Sequence, residues 1–260
     1  MVALEELDDF LQIVLWSGRV QGERPVSGIL VAPPGHGKTC LLERIQCDTA
    51  PLLSDITARE IHNKLEECPD ATHLLLGDML SIFGHKSHVV RLTMRSISAM
   101  TGETMKNDPF SGKKIDRQLG LLTAIPPENL ENSAIKRALH DGGFATRFLI
   151  IEYRYKPSTI SAIHKYIRDD VYVKAPPSQL TFSMAKEPML AIIIPPSIAR
   201  EVQTMAMEIK KDDIGTRVHH HLRALVKACA RRSGRGVAKP EDFDTIVKYT
   251  DFFLGKGKEL

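Results

Sequence analysis

Apolar residues at the start of the chain recur at helical spacing: Leu4, Leu7, Leu11, Val14 and Leu15 predict an amphipathic helix over residues 1–17. Residues 22–27 are turn-like, and 28–31 form a short apolar strand running into Pro33-Pro34-Gly35. A helix follows over 38–47, then a strand over 51–56 and a helix over 57–67 that aligns Ala58, Ile61 and Leu65. Residues 72–77 read as a buried strand, and 87–100 as a helix with Val90, Met94 and Ile97 in line. Two more strands, 120–125 and 147–155, flank a helix near 128–140. Strands alternating with helices predict an α/β fold whose parallel sheet is covered on both faces.

The pattern changes after Pro195-Pro196. Residues 198–210 are helical, and Val218, Leu222, Leu225, Val226 and Cys229 make a second apolar stripe. Ser233-Gly234-Arg235-Gly236 breaks the chain, and Pro240 stands at a helix start leading to Phe243, Ile246 and Val247. The expected organisation is an α/β core with an N-terminal helix over 1–194 and a small all-helical domain over 195–260. A helical unit that small folds with support from its neighbours.

Composition narrows the class. The 260 residues are 43% hydrophobic and 26% charged, which excludes a disordered or collagen-like chain. The apolar run 189–194 is far shorter than the roughly 20 residues of a spanning helix. Residues 1–10 carry four acidic side chains and no basic one, unlike a secretory leader. Cys40, Cys47, Cys68 and Cys229 lack C-x-x-C spacing, against a disulfide framework or a zinc site. These features lead us to expect a reduced, cytoplasmic protein without membrane association. The net charge of +3 is uneven: residues 210–239 hold nine Lys/Arg and two acidic residues, so this window carries +7 and the remainder −4. Such a window either attracts nucleic acid or phosphate, or forms a solvated helix face.

One segment carries specific chemistry. Ala32-Pro33-Pro34-Gly35-His36-Gly37-Lys38-Thr39 matches a Walker A phosphate loop with Ala in place of the first Gly, and it lies between a strand and a helix as the motif requires. The glycines let the amides of Pro34-Gly35-His36-Gly37-Lys38-Thr39-Cys40, proline excepted, curl around a phosphate, with the helix dipole aimed at the anion. Lys38 is placed to reach the β- and γ-phosphates of ATP, and the Thr39 hydroxyl to ligate Mg²⁺. A second carboxylate for the metal's water shell is offered by His73-Leu74-Leu75-Leu76-Gly77-Asp78, an apolar strand emptying into an acid. Asp78 is either this Walker B residue or the cap of the next helix.

This order of motifs resembles the AAA+ ATPases, and within them the minichromosome-maintenance helicase branch and its small phage and archaeal relatives. The resemblance implies a P-loop NTPase parallel sheet sandwiched by helices, a small all-α C-terminal lid, and a homo-oligomer in the form of a hexameric ring. It gives Thr123, in Gly120-Leu121-Leu122-Thr123-Ala124, the sensor 1 role, although Thr is also an ordinary β-former. Gly143-Phe144-Ala145-Thr146-Arg147-Phe148 is similar to the segment bearing that branch's arginine finger, so Arg147 would act on a neighbour's nucleotide. Arg147 would otherwise form a surface ion pair. Thr216-Arg217 opens the basic helix as sensor 2 opens the lid helix, with Arg223 in reserve. The spacing from Arg217 to Ala228 and Ala230, then to Gly234–Val237 and Glu241-Asp242, is similar to the helicase-type lid. In one respect the chain departs from the pattern: Met79 stands where most ring ATPases place Glu, so Glu103 or a neighbouring subunit would have to orient the attacking water.

Residues 104–119 carry Lys106, Lys113, Lys114 and Arg117, where the helicase branch has a hairpin entering the central channel. These cations would grip phosphates without reading sequence, or else belong to an ordinary polar loop. His219-His220-His221 point to different helix faces and do not converge on a metal. Three functions remain open: a DNA-acting ring ATPase of helicase, loader or translocase type; a chaperone with a protein client, for which Phe83 is the candidate aromatic; and an ATP-dependent assembly switch with weak hydrolysis.

Overall fold

Strand β1 (Ser27–Val31) is buried at every residue, as a strand in the middle of a two-face-covered sheet must be. The fold, obtained as a computed structural model, describes residues 3–53, 56–102, 118–130, 135, 147–170, 187–209, 216–253 and 257–260. With β2 (Leu52–Leu53), β3 (His73–Leu76), β4 (Gly120–Ile125), β5 (Phe148–Arg154) and β6 (Lys258–Glu259), β1 forms a six-stranded, all-parallel sheet in the order β2-β3-β4-β1-β5-β6. The chain is therefore an α/β protein with helices on both faces of a parallel sheet.

Alternate residues of each strand serve opposite faces. Leu30, Leu122, Ala124, Leu149 and Ile151 pack with α1 (Glu5–Trp16) and α2 (Lys38–Ile45). Ile29, Val31, Leu74, Leu76, Leu121 and Ile125 pack with α3 (Ala58–Glu67) and α5 (Ser87–Gly102). Thr57 starts α3 by accepting the Glu60 amide on its hydroxyl at 3.1 Å. The short helices α4 (Leu80–Phe83) and α6 (Pro127–Leu130) follow β3 and β4.

Helices α8 (Pro196–Ile209), α9 (Thr216–Arg232), α10 (Pro240–Lys248) and α11 (Thr250–Phe253) join the same hydrophobic cluster as α1. Phe10 packs against Tyr249, Phe252 and Phe253 at ring-centre distances of 5.2, 6.1 and 5.8 Å. After α11 the chain returns to the sheet as β6. Much of the basic window has a structural use: Arg223 and Lys227 reach Glu23 at 2.9 and 2.6 Å, Arg231 reaches Glu187 at 2.8 Å, Arg232 reaches Asp9 at 2.5 Å and Arg235 reaches Asp242 at 2.6 Å.

Some elements differ from the sequence pattern. The strand expected over 51–56 is only the two-residue edge strand β2, with 54–55 outside the described residues. Of the helix near 128–140, α6 is described and most of the remainder lies outside the described residues. Helix α7 (Pro157–Arg168) was not expected; Pro157 presets its first turn, and none of its residues is buried.

His73 shows how closely β3 and β4 approach. It is wholly buried, its Nε2 donates to the Val26 carbonyl at 3.2 Å and its Nδ1 lies 3.1 Å from the Thr72 hydroxyl. A Cβ on Gly120 would come 2.3 Å from the imidazole, so only glycine fits there. Burial pushes the His73 pKa down to about 4. Below pH 6.5 the unfolded chain takes up a proton that the folded protein refuses until about pH 4, so stability is complete above pH 6.5 and falls between those values. His73 alone is expected to remove about 2 kcal/mol at about pH 5. Urea unfolding at about pH 7.5 and 5 checks this, and equal midpoints would contradict it.

Candidate functional site

The phosphate-loop sequence occupies the turn between the C-terminal end of β1 and the N-terminus of α2. Gly35 and Gly37 have φ of +78° and +75°, the left-handed conformation that lets successive amides face inward. Gly37 begins α2 without a side-chain cap, leaving the first-turn amides for a ligand. The Lys38 ammonium folds across the loop and donates to the carbonyls of Ala32 at 2.5 Å and Pro33 at 2.9 Å. Burial lowers the Lys38 pKa, and the fields of Glu128 and then Asp78 oppose that shift. Pro34, Gly35, Thr39 and Cys40 are exposed, and His36 is half-buried.

The loop is braced from β5, the neighbour of β1. Tyr153 donates its hydroxyl to the His36 carbonyl at 2.9 Å, and the His36 ring stacks on Tyr155 at 4.8 Å with 17° between planes. A Cβ on Gly37 would lie 2.9 Å from the Tyr155 hydroxyl and 3.0 Å from Leu4 Cδ1. Burial pushes the Tyr155 phenol up to about 12 and raises that of Tyr153 as well, so both stay neutral donors. No sequence motif marks these braces. Their only signal is a pair of tyrosines two residues apart ending an apolar strand.

Strand β4 lies between β1 and β3, pairing Ile125 with Val31 and Thr123 with Leu76. This order sets the end of β3 near the loop. The Thr39 methyl lies 3.7 Å from where a Cβ on Gly77 would stand, immediately before Asp78. Asp78 is exposed, and its Oδ1 accepts the Leu80 amide at 2.8 Å. That bond makes a local turn ahead of α4, whose N-cap residue is Met79 and which has no side-chain cap; a carboxylate has further lone pairs for a metal-bound water. Met79 is wholly buried, and its amide donates to Ala124 at 2.9 Å. Thr123 is also wholly buried, and its hydroxyl has no hydrogen-bond partner among the described residues.

Arg147 and Arg217 converge elsewhere. With Arg24, His220, His221 and Arg223 they line a cavity of about 420 Å³. Arg147 directly precedes β5, and the cavity also includes Pro25, just before β1, so it opens at the N-terminal edge of a sheet whose C-terminal edge carries the candidate phosphate loop. The Arg147 guanidinium donates to the carbonyl and hydroxyl of Ser98, and its backbone hydrogen-bonds His221. Burial, then the charges of His220 and Arg217, hold the His221 pKa at about 4.

Lys106, Lys113, Lys114, Arg117 and Glu103 lie outside the described residues. Phe83 is partly buried against the α3–α5 cluster. Among the described residues no group of three or more His, Cys, Asp or Glu side chains could hold a metal. Thr39 and Asp78 nevertheless suit Mg²⁺, which keeps several waters and takes one or two protein oxygens beside phosphates. No helix among the described residues is long and apolar enough to cross a membrane.

The fold and loop define a helix-flanked parallel α/β protein compatible with a P-loop-like fold. Comparison with protein-family models and with curated proteins finds no match.

Proposed function

We propose that the protein binds ATP with Mg²⁺ at the Ala32–Thr39 loop and hydrolyses it as an oligomer of AAA+ type. The carrying observation is the convergence of Lys38, Thr39 and Asp78 around two left-handed glycines at the ends of β1 and β3. In this reading the loop amides and Lys38 bind the phosphates. Thr39 and Asp78 hold Mg²⁺, which when bound neutralises phosphate charge.

Arg147 fits action in trans. The five residues of β1 span about 17 Å, so the two edges of the sheet are too far apart for Arg147 to serve its own loop. Head-to-tail contact would instead present the Arg147–Arg217 cavity to a neighbour's phosphates. Heterologous contacts of this kind close into rings, here a hexamer by resemblance.

DNA is the proposed substrate of the motor. Because Arg223, Lys227, Arg231, Arg232 and Arg235 are paired with carboxylates, phosphate contact falls to Lys106, Lys113, Lys114 and Arg117. The expected result is ATP turnover that rises with single-stranded DNA and loses that stimulation between about 50 and 200 mM salt. Turnover indifferent to both single-stranded and duplex DNA at low salt would overturn this arm. The buried Met79 favours one second reading, an assembly switch, whose mark is ATP-dependent oligomerisation with negligible turnover.

A further inference from the structure

Hydrolysis needs a group that orients water against the γ-phosphoryl, and position 79 cannot supply it. The Met79 side chain is wholly buried in the α3–α5 cluster, and its amide is tied to β4. A polar residue there would face the core instead of the loop. Asp78 already accepts the Leu80 amide and stands beside Thr39 through Gly77, on the metal's side of the site. Thr123 is closed off inside the sheet.

Another carboxylate reaches the same end of the sheet. Ile125, the last residue of β4, pairs with Val31, the last residue of β1 before the phosphate loop. Two prolines and then Glu128 follow. Pro127 opens α6, and the Asn129 amide closes the turn on the Pro126 carbonyl at 3.1 Å. The fixed φ of consecutive prolines stiffens this turn and sets where Glu128 emerges. Glu128 is exposed, and no hydrogen bond or ion pair engages its carboxylate among the described residues. It stands three residues beyond Ile125, past the end of the strand beside the one that feeds the loop.

We infer that Glu128 is the catalytic carboxylate that orients and deprotonates the attacking water, replacing the acid that Met79 has displaced from its usual position. The inference rests on the proposed ATPase reading. In the step, a water proton moves to the Glu128 carboxylate as the water oxygen bonds to the γ-phosphorus. The bond from that phosphorus to the β,γ-bridging oxygen breaks, and its electron pair leaves with ADP. The proton then passes from Glu128 to the product phosphate or to solvent. Nothing is oxidised or reduced. Lys38, at the centre of the loop, remains a cation throughout.

The test compares the full-length protein with Glu128→Gln and Glu128→Asp. For Glu128→Gln, calorimetric affinity for Mg-ATP should stay within about threefold while turnover falls about 10²-fold or more. Rapid quench and chromatography of the bound nucleotide should find intact ATP accumulating on this variant. Glu128→Asp should recover part of the rate. Because Glu128 is exposed, thermal melting should be unchanged, which separates a chemical effect from misfolding. Turnover of Glu128→Gln above about one third of wild type would overturn the inference and leave the ATPase reading standing. Wild-type protein that binds Mg-ATP without hydrolysing it would also refute the Glu128 role. Wild-type protein that does not bind Mg-ATP would instead remove the reading beneath it.

Discussion

Lys38→Ala is expected to weaken Mg-ATP binding by about 10²–10⁴-fold and to leave no measurable turnover. The size follows from the bonds at stake. The ammonium donates to the Ala32 and Pro33 carbonyls in the free loop. With ligand bound, phosphate oxygens replace those acceptors, and each charge-assisted bond contributes about 1.5–3 kcal/mol. Two such bonds correspond to the stated loss of affinity. The effect on folding is smaller. Gly35 and Gly37 define the turn, while Tyr153 and Tyr155 brace it from β5 without using the lysine. Calorimetry of the variant against wild type, with thermal melts in parallel, reads both quantities. Equal affinities would show that the loop does not hold a triphosphate.

Local chemistry made much of this site legible before the fold was known. Apolar runs bounded by turn residues located β1, β3, β4 and β5 to within a residue or two, and the Pro-Pro-Gly-His-Gly-Lys-Thr spacing fell on the turn between β1 and α2, the candidate phosphate loop. What remained hidden depends on lateral order. Strands buried on both faces carry no alternation that reveals their neighbours. Nothing in Gly120–Ile125 therefore foretold that β4 would lie between β1 and β3, so that Glu128 follows it at the loop-bearing edge of the sheet. The role of Tyr153 and Tyr155 is hidden for the same reason, since it arises only once β5 stands beside β1. The resemblance assigns Thr123 the sensor 1 role at a strand end. Its position two residues before the end of β4 buries that group between Ile29 and Leu76 instead of at the rim.

The pairing of charges was hidden for a related reason. The excess of cations in α9 is visible in sequence, but the acids that answer several of them, Asp9, Glu23 and Glu187, are distant along the chain. A window count registers the cations and misses the carboxylates. Arg147 and Arg217 are similarly remote in sequence, yet they share one cavity because the start of β5 and the start of α9 meet at the sheet's N-terminal edge.

That shared cavity makes Arg147→Ala the second large expected effect: turnover lower by about 10³–10⁵-fold, with nucleotide affinity of the isolated subunit unchanged. Loss of rate alone would be ambiguous. Arg147 also donates to Ser98 and hydrogen-bonds His221 through its backbone, so its removal could disturb the packing of α5 and α9. Mixing resolves the ambiguity. Lys38→Ala subunits have no working loop but retain Arg147, and Arg147→Ala subunits have the reverse. If the arginine serves the next subunit's nucleotide, a head-to-tail assembly of both variants contains some contacts with a normal Lys38 facing a normal Arg147. Activity should then reappear on mixing two inactive preparations and rise with total protein concentration. An arginine that acted within its own subunit, or served only to hold Ser98, would yield a mixture as inactive as its parts.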